Sequence, residues 1–267
     1  MIKILFFGDI IGKIGRKALS KVLPQLKKKL KPDLVLANVE NLAHGSGVTK
    51  KTLEEIKKAG VDFFTSGNHV WKKKEVFKLF EDKDFKDILI RPANYPKEVP
   101  GQGYKIIKTG KYSLVVINLS GRVFMEENLD CPFHKIDEIL NKFHSKKING
   151  LIIDFHAEAT SEKVAFGFYV DGRVSAVLGT HTHIGTSEAG ILPQGTGYLT
   201  DIGMVGAKDS VIGVKKENAI RMFLTQIPET LEPVEKGEVI VNSVYLEIDP
   251  KTKKTTRIER VDLETKV

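Results

Sequence analysis

Eight side chains able to hold a cation or move a proton fall at the ends of apolar runs in this 267-residue sequence. Asp9 follows the run 2–8, Glu40 and Asn41 follow 33–38, and Asn68 and His69 follow 61–65 through a Ser-Gly step. His156 ends the run Leu151 to Phe155, and His181 and His183 follow Val174 to Leu178 through Gly179 and Thr180. Five strand ends thus deliver two carboxylates, two amides and four imidazoles. Carboxylate oxygens with neutral imidazole nitrogens suit Mn, Fe or Zn; one zinc needs three or four ligands, whereas two cations sharing a carboxylate use most of this set. Two such cations create hydroxide near neutral pH and neutralise the oxygens of a phosphoryl group under attack, which is the chemistry of phosphoester hydrolysis.

Each residue taken alone has a plainer reading. Asp9 after a first strand fits a helix N-cap. Gly67-Asn68-His69 fits a simple turn, because Gly and Asn tolerate left-handed backbone. His156 fits a satisfied core histidine. His181 and His183, in alternate positions, point the same way if their segment is extended, and both can then face one metal pair. The joint pattern carries more than any part. His134 and His144 lack this placement and read as exposed helix residues, and His44 as a loop residue. Gly8, Gly12 and Gly15 have neither dinucleotide-fingerprint nor Walker spacing, which argues against Rossmann-type nucleotide binding.

The elements that must position these residues alternate at first: strand 2–8, helix 13–30, strand 33–38, helix 49–59 and strand 61–65, an order that builds βαβ units and a parallel sheet. In such sheets ligands bind at the carboxyl ends of the strands. Strands 103–108 and 112–119 around Gly110-Lys111 predict a hairpin. Then follow a helix at 133–145, strand 150–155, helix 161–168, strand 174–179, a Gly-rich segment at 185–213, and strands at 239–248 and 255–262. Two sheets packed face to face, with helices on both outsides, accommodate this count in one domain spanning 1–267.

Composition restricts the setting. Apolar residues make up 41% and charged residues 28%, an ordinary globular balance that excludes disorder. A lone cysteine, Cys131, excludes an intramolecular disulfide and a Cys-based zinc site, and points to the cytoplasm. The apolar start is interrupted by Asp9 and Lys13, so it predicts a buried strand and neither a signal peptide nor a membrane span. The net charge is +8, and residues 1–80 carry 17 Lys and Arg against 7 Asp and Glu. RNA is therefore a candidate partner, although runs such as Lys27-Lys28-Lys29 and Lys72-Lys73-Lys74 read first as solvated helix faces, without interleaved aromatics.

The blocks GDII (8–11), NVEN (38–41), GNH (67–69), DFHAE (154–158) and THTH (180–183) resemble, in order, those of the calcineurin-like metallophosphoesterases. The usual blocks are GDxH, GDxxD, GNH, a lone His and GHxH. Here Ile11 stands where the first block has His, and Glu40 where the second has its bridging Asp. With GDIIGKIGR, NVENLAHGSG, GNHVW and TDIGMVG, this combination resembles the bacterial YmdB-type branch over nearly the whole chain.

The resemblance implies an α/β fold of four layers (αββα), a cytoplasmic phosphodiesterase acting on 2′,3′- or 3′,5′-cyclic nucleotides, a dinuclear metal centre, and a homo-oligomer, dimer or tetramer. Carried over, Asp9, Glu40, Asn41 and His183 hold one metal, and Glu40, Asn68, His156 and His181 the other, with Asn41 replacing the missing histidine. His69 is the expected general acid against a hydroxide that attacks between the metals. The Glu bridge and the amide ligand favour Fe or Mn, with Zn or Mg as alternatives. No membrane partner is expected. Two competing readings are a non-catalytic RNA- or nucleotide-binding regulator on the same fold, and a dinuclear hydrolase of phosphomonoesters or amides.

Overall fold

In a computed structural model describing residues 1–267, the chain forms two mixed β-sheets flanked by helices. The first sheet is centred on β1 (Ile2–Ile10), which pairs in parallel with β2 (Leu34–Asn38), itself parallel to β3 (Phe63–Thr65). On its other side β1 changes partner along its length. Residues 2–7 pair antiparallel with β12 (Ser243–Ile248), and Asp9 and Ile10 pair in parallel with β10 (Met204–Ala207). The exchange coincides with an irregularity between Phe7 and Asp9. β11 (Glu238–Val241), β13 (Thr255–Arg260) and β14 (Leu263–Lys266) complete this sheet. The second sheet runs β4 (Tyr104–Thr109), β5 (Tyr112–Ser120), β6 (Gly150–His156), β7 (Ala176–Thr180), β9 (Gly197–Leu199), β8 (Gly190–Ile191), with β5, β6, β7 and β9 parallel.

Alternation along the central strands sorts side chains into layers. Ile4, Phe6, Leu34 and Leu36 meet Leu114, Val116, Ile152 and Leu178 between the sheets. Leu5, Phe7, Val35 and Ala37 point the other way, onto α1 (Gly12–Leu30) and α2 (Lys50–Ala59). Val115, Ile117, Leu151 and Ile153 likewise meet α4 (Pro132–Phe143) and α5 (Thr160–Tyr169). The order helix, sheet, sheet, helix is the four-layer sandwich expected from the sequence.

Several elements differ from expectation for identifiable reasons. The predicted strand 239–248 is two strands split at Asn242, whose side chain accepts from the Met204 N–H and donates to Asp262, so the chain passes from β10 to β1. The Gly-rich segment contributes β8, β9 and β10. Helix α6 (Lys216–Thr225) was not foreseen, because Ile220, Phe223 and Leu224 are exposed and its apolar residues do not mark a buried stripe. Helix α3 (Val76–Leu79) spans four residues. The Lys27 to Lys29 run lies in the last turn of α1, where cations complement the helix dipole. No helix is long and apolar enough to cross a membrane.

Candidate metal centre

The carboxyl ends of β1, β2, β3, β6 and β7 converge at one edge of the sandwich. Asp9 lies within β1 rather than after it, because pairing with β10 extends the strand to Ile10. It caps no helix; the N-cap of α1 is Ile11, without a side-chain bond. Asp9, Glu40, Asn41, Asn68 and His156 are all buried, and their polar atoms are paired largely with one another, an arrangement a shared cation satisfies.

The donors form two groups that share Glu40. In one, His156 Nε2 lies 3.2 Å from Glu40 Oε1, 3.2 Å from Asn68 Oδ1 and 3.0 Å from His181 Nδ1. In the other, the Asn41 amide lies 3.3 Å from Glu40 Oε1, 3.5 Å from Asp9 Oδ1 and 3.2 Å from His183 Nε2, and His183 Nε2 lies 3.8 Å from Asp9 Oδ1. Ligand atoms of Glu40, His156 and His181 all lie within 4.8 Å of one another. Ligands about 2.1 Å from one cation stand roughly 3–4 Å apart, so a divalent ion fits this group. In the second group the Asn41 nitrogen faces the carboxylates; turning the amide over puts Oδ1 there instead, the orientation a cation requires.

Gly67 supports the fit through space. A Cβ there meets His156 Nε2 at 2.2 Å and Glu40 Oε2 at 2.3 Å. Its φ of −158° is extended backbone, so the tripeptide is not the left-handed turn that was one sequence reading; a short 3₁₀ helix, Asn68–Lys72, follows it. His69 stands beside the cluster, its N–H donating to Glu40 Oε2 at 2.9 Å and its Nδ1 lying 3.0 Å from Asn41 Oδ1.

His181 and His183 do not lie on an extended segment. Their φ angles are 102° and 65°, in the left-handed region that non-glycine residues avoid. Surrounding bonds hold this conformation. The His181 N–H donates to Asp9 Oδ2, the Thr182 N–H donates to Asp201 Oδ2, and Asp201 pairs at 2.6 Å with the buried Lys163 Nζ, which also donates to the Thr180 carbonyl. Lys163 and Asp201 were not singled out in the sequence; a Lys inside the apolar pattern of α5 was the available signal.

A second buried network, also missed, joins the sheets behind the cluster. Asp154 accepts from Thr65 Oγ1, Thr180 Oγ1 and Asn38 Nδ2, and Thr180 Oγ1 meets His156 Nδ1 at 2.9 Å. An Asp inside the apolar run 151–155 was the readable sign. His134 and His144 are exposed, as is His44.

The electrostatics of these protein groups follow from burial and close pairing. Burial pushes the Asp9 carboxyl up, against the opposing charges of His183 and His156. Burial acts upward on Glu40 too, but the charge and hydrogen bond of His156, with His69, bring it well below the usual carboxylate range. Burial acts downward on His156, yet Glu40, Asp9 and Asp154 together raise it to about 9. Burial, then repulsion from His156, lowers His181 to about 3. Burial raises Asp154 to about 6. Opposite charge thus favours a protonated His156 beside an ionised Glu40, and burial favours a neutral His181, the form in which an imidazole can hold a cation.

Comparison with known proteins agrees with this architecture. A model of the family described as YmdB-like protein matches residues 5–261. A Bacillus subtilis protein named 2′,3′-cyclic-nucleotide 2′-phosphodiesterase is 45% identical over 259 residues, covering 97% of this chain and 96% of the relative. A crystal structure described as a novel phosphatase from Mycoplasma pneumoniae superposes with a TM-score of 0.92 at 36% identity, covering 99% of this chain and 94% of that one. A 5′-nucleotidase precursor from Thermus thermophilus shares the fold alone, with a TM-score of 0.58 at 11% identity over 99% of this chain and 54% of that one. The chain therefore belongs to the YmdB-like family, on the fold of the calcineurin-like metallophosphoesterases.

Proposed function

We propose that this chain, as one domain, is a dinuclear metal-dependent phosphodiesterase that opens cyclic nucleotides, with 2′,3′-cyclic monophosphates as first candidates. The observation that carries the reading is the sharing of Glu40 by two donor groups, one with His156, Asn68 and His181 and the other with Asp9, Asn41 and His183. Hydrolysis of phosphodiesters agrees with the names borne by the relatives, and the cyclic-nucleotide preference rests on the Bacillus relative. The mixed oxygen and imidazole set favours Mn or Fe.

Bound cations in the two groups supply charge neutralisation and an activated water. The chain's own residues do the rest. Glu40, the Asn amides and the histidines hold the donors in place before substrate arrives, so little reorganisation is needed as charge develops. His69 supplies the proton for the departing oxygen. With the Asn41 amide turned toward a cation, its Nδ2 donates to His69 Nδ1, so the ring hydrogen sits on Nε2, which has no hydrogen-bond partner in the protein and can deliver it.

Release of nitrophenol from bis(p-nitrophenyl) phosphate and from the monoester, with and without Mn, tests the class. Diester cleavage dependent on metal is expected. Preference for the monoester would replace the reading with a phosphomonoesterase, and no turnover combined with tight RNA binding would replace it with a regulator. Rates on 2′,3′- and 3′,5′-cyclic nucleotides then fix the substrate.

A further inference from the structure

We infer that Glu158 is a positioning residue of the metal centre, fixing His181 in the tautomer and ring orientation that present Nδ1 to the ligand group. The inference rests on the reading of this cluster as a metal site.

The three histidines of the cluster are each held from behind by a different kind of group. His156 turns Nε2 inward and rests Nδ1 on the Thr180 hydroxyl at 2.9 Å. His183 turns Nε2 inward and places Nδ1 2.8 Å from the Ile212 carbonyl. His181 is reversed: Nδ1 lies 3.0 Å from His156 Nε2, and the outward Nε2 lies 3.1 Å from Glu158 Oε2. A carboxylate oxygen this close to Nε2 favours the tautomer with its hydrogen there, which leaves the lone pair on Nδ1, where a cation needs it.

Glu158 is arranged for this task. It lies in the short connection between β6 and α5, flanked by the buried Ala157 and Ala159, two residues beyond His156. Its carboxylate has no other hydrogen-bond or ion-pair partner in the protein. The imidazole of His181 has no other outward partner either, while its backbone, at φ 102°, is held by the bond to Asp9. Backbone bonds fix where the ring begins, His156 packs against its inner edge, and Glu158 meets its outward nitrogen. A partly exposed contact of this kind contributes little to folding, so its effect belongs to metal binding.

Calorimetric titration of the full-length, metal-stripped chain with MnCl₂ tests this, using wild type, Glu158→Ala and Glu158→Gln, with thermal unfolding of each metal-free protein. The Ala variant is expected to lose about 10–100-fold in affinity at one of two sites, the usual effect of removing a partner of a ligating histidine. The Gln variant, whose amide oxygen also favours a hydrogen on Nε2, should stay close to wild type, and all three metal-free proteins should unfold at the same temperature. Unchanged Mn binding in the Ala variant overturns the inference and leaves the metal site standing. Equal loss in both variants also overturns it, since charge rather than orientation would then be responsible, as does a matching loss of metal-free stability. A wild-type chain that binds no Mn overturns both the inference and the reading beneath it.

Discussion

Replacing Lys163 with methionine removes the cationic half of an ion pair buried between α5 and the loop that carries Asp201, with side chains only 2% and 1% exposed. Removing one partner of a buried pair costs about 3–5 kcal/mol, mostly because the other charge is stranded. Asp201 keeps the N–H groups of Thr182 and Gly203, at 3.2 and 2.8 Å, which places the cost near the low end, about 3 kcal/mol. For a chain of this size that is a fall in Tm of about 6 °C. The Thr180 carbonyl also loses the shorter of its two donors, keeping only the Ala157 N–H at 3.4 Å, so the strained segment carrying His181 and His183 loosens and metal affinity falls with stability. Scanning calorimetry of the metal-free variant reads the first effect and Mn titration the second. Adding Asp201→Asn removes the stranded charge, and the double variant should be more stable than Lys163→Met alone. A single variant within about 1 kcal/mol of wild type that also binds Mn normally would refute the reasoning.

His69→Ala is expected to bind metal as wild type does and lose about 100-fold or more in turnover, read by Mn titration beside steady-state kinetics; full activity sinks the acid role. Gly67→Ala places a methyl group against His156 and Glu40, so metal binding should vanish while the circular dichroism of the fold persists. Because His156 is raised to about 9 from an ordinary value near 6.5, the stabilisation it gives the metal-free protein is fully present below about pH 6.5 and lost as pH rises through about 9. Metal binding must displace that proton, so affinity for Mn should rise over the same interval, and titrations in buffers of different ionisation enthalpy should report proton release.

The fold was legible wherever a pattern was buried on one side. The strands β1, β2, β5 and β6 and the helices α1, α2 and α4 came within a few residues of expectation, because period and turn chemistry agree in them. Apart from α6, whose apolar residues are exposed, the failures trace to interactions distant in sequence. Asp9 belongs to β1 only because β10, some 195 residues later, pairs with it. The backbone of His181 and His183 is bent by Asp9 and Asp201, neither of them local, and an extended segment was the natural expectation from the sequence alone. Gly67 was readable as a glycine that mattered, but not for its reason, since the space it leaves is defined by His156 and Glu40 from other strands. The convergence of the site residues followed from their position at strand ends; the residues behind them, Asp154, Lys163 and Asp201, have no spacing rule that marks them.

The proposed joining of two metal ions by Glu40 is open to electron paramagnetic resonance of the metal-stripped chain reconstituted with Mn²⁺. Two ions per chain are predicted, with the exchange-coupled spectrum of a bridged pair, and Glu40→Gln should reduce the coupling and the stoichiometry together. A single ion with the six-line signal of isolated Mn²⁺, unchanged in Glu40→Gln, would mean that Glu40 bridges no metal pair.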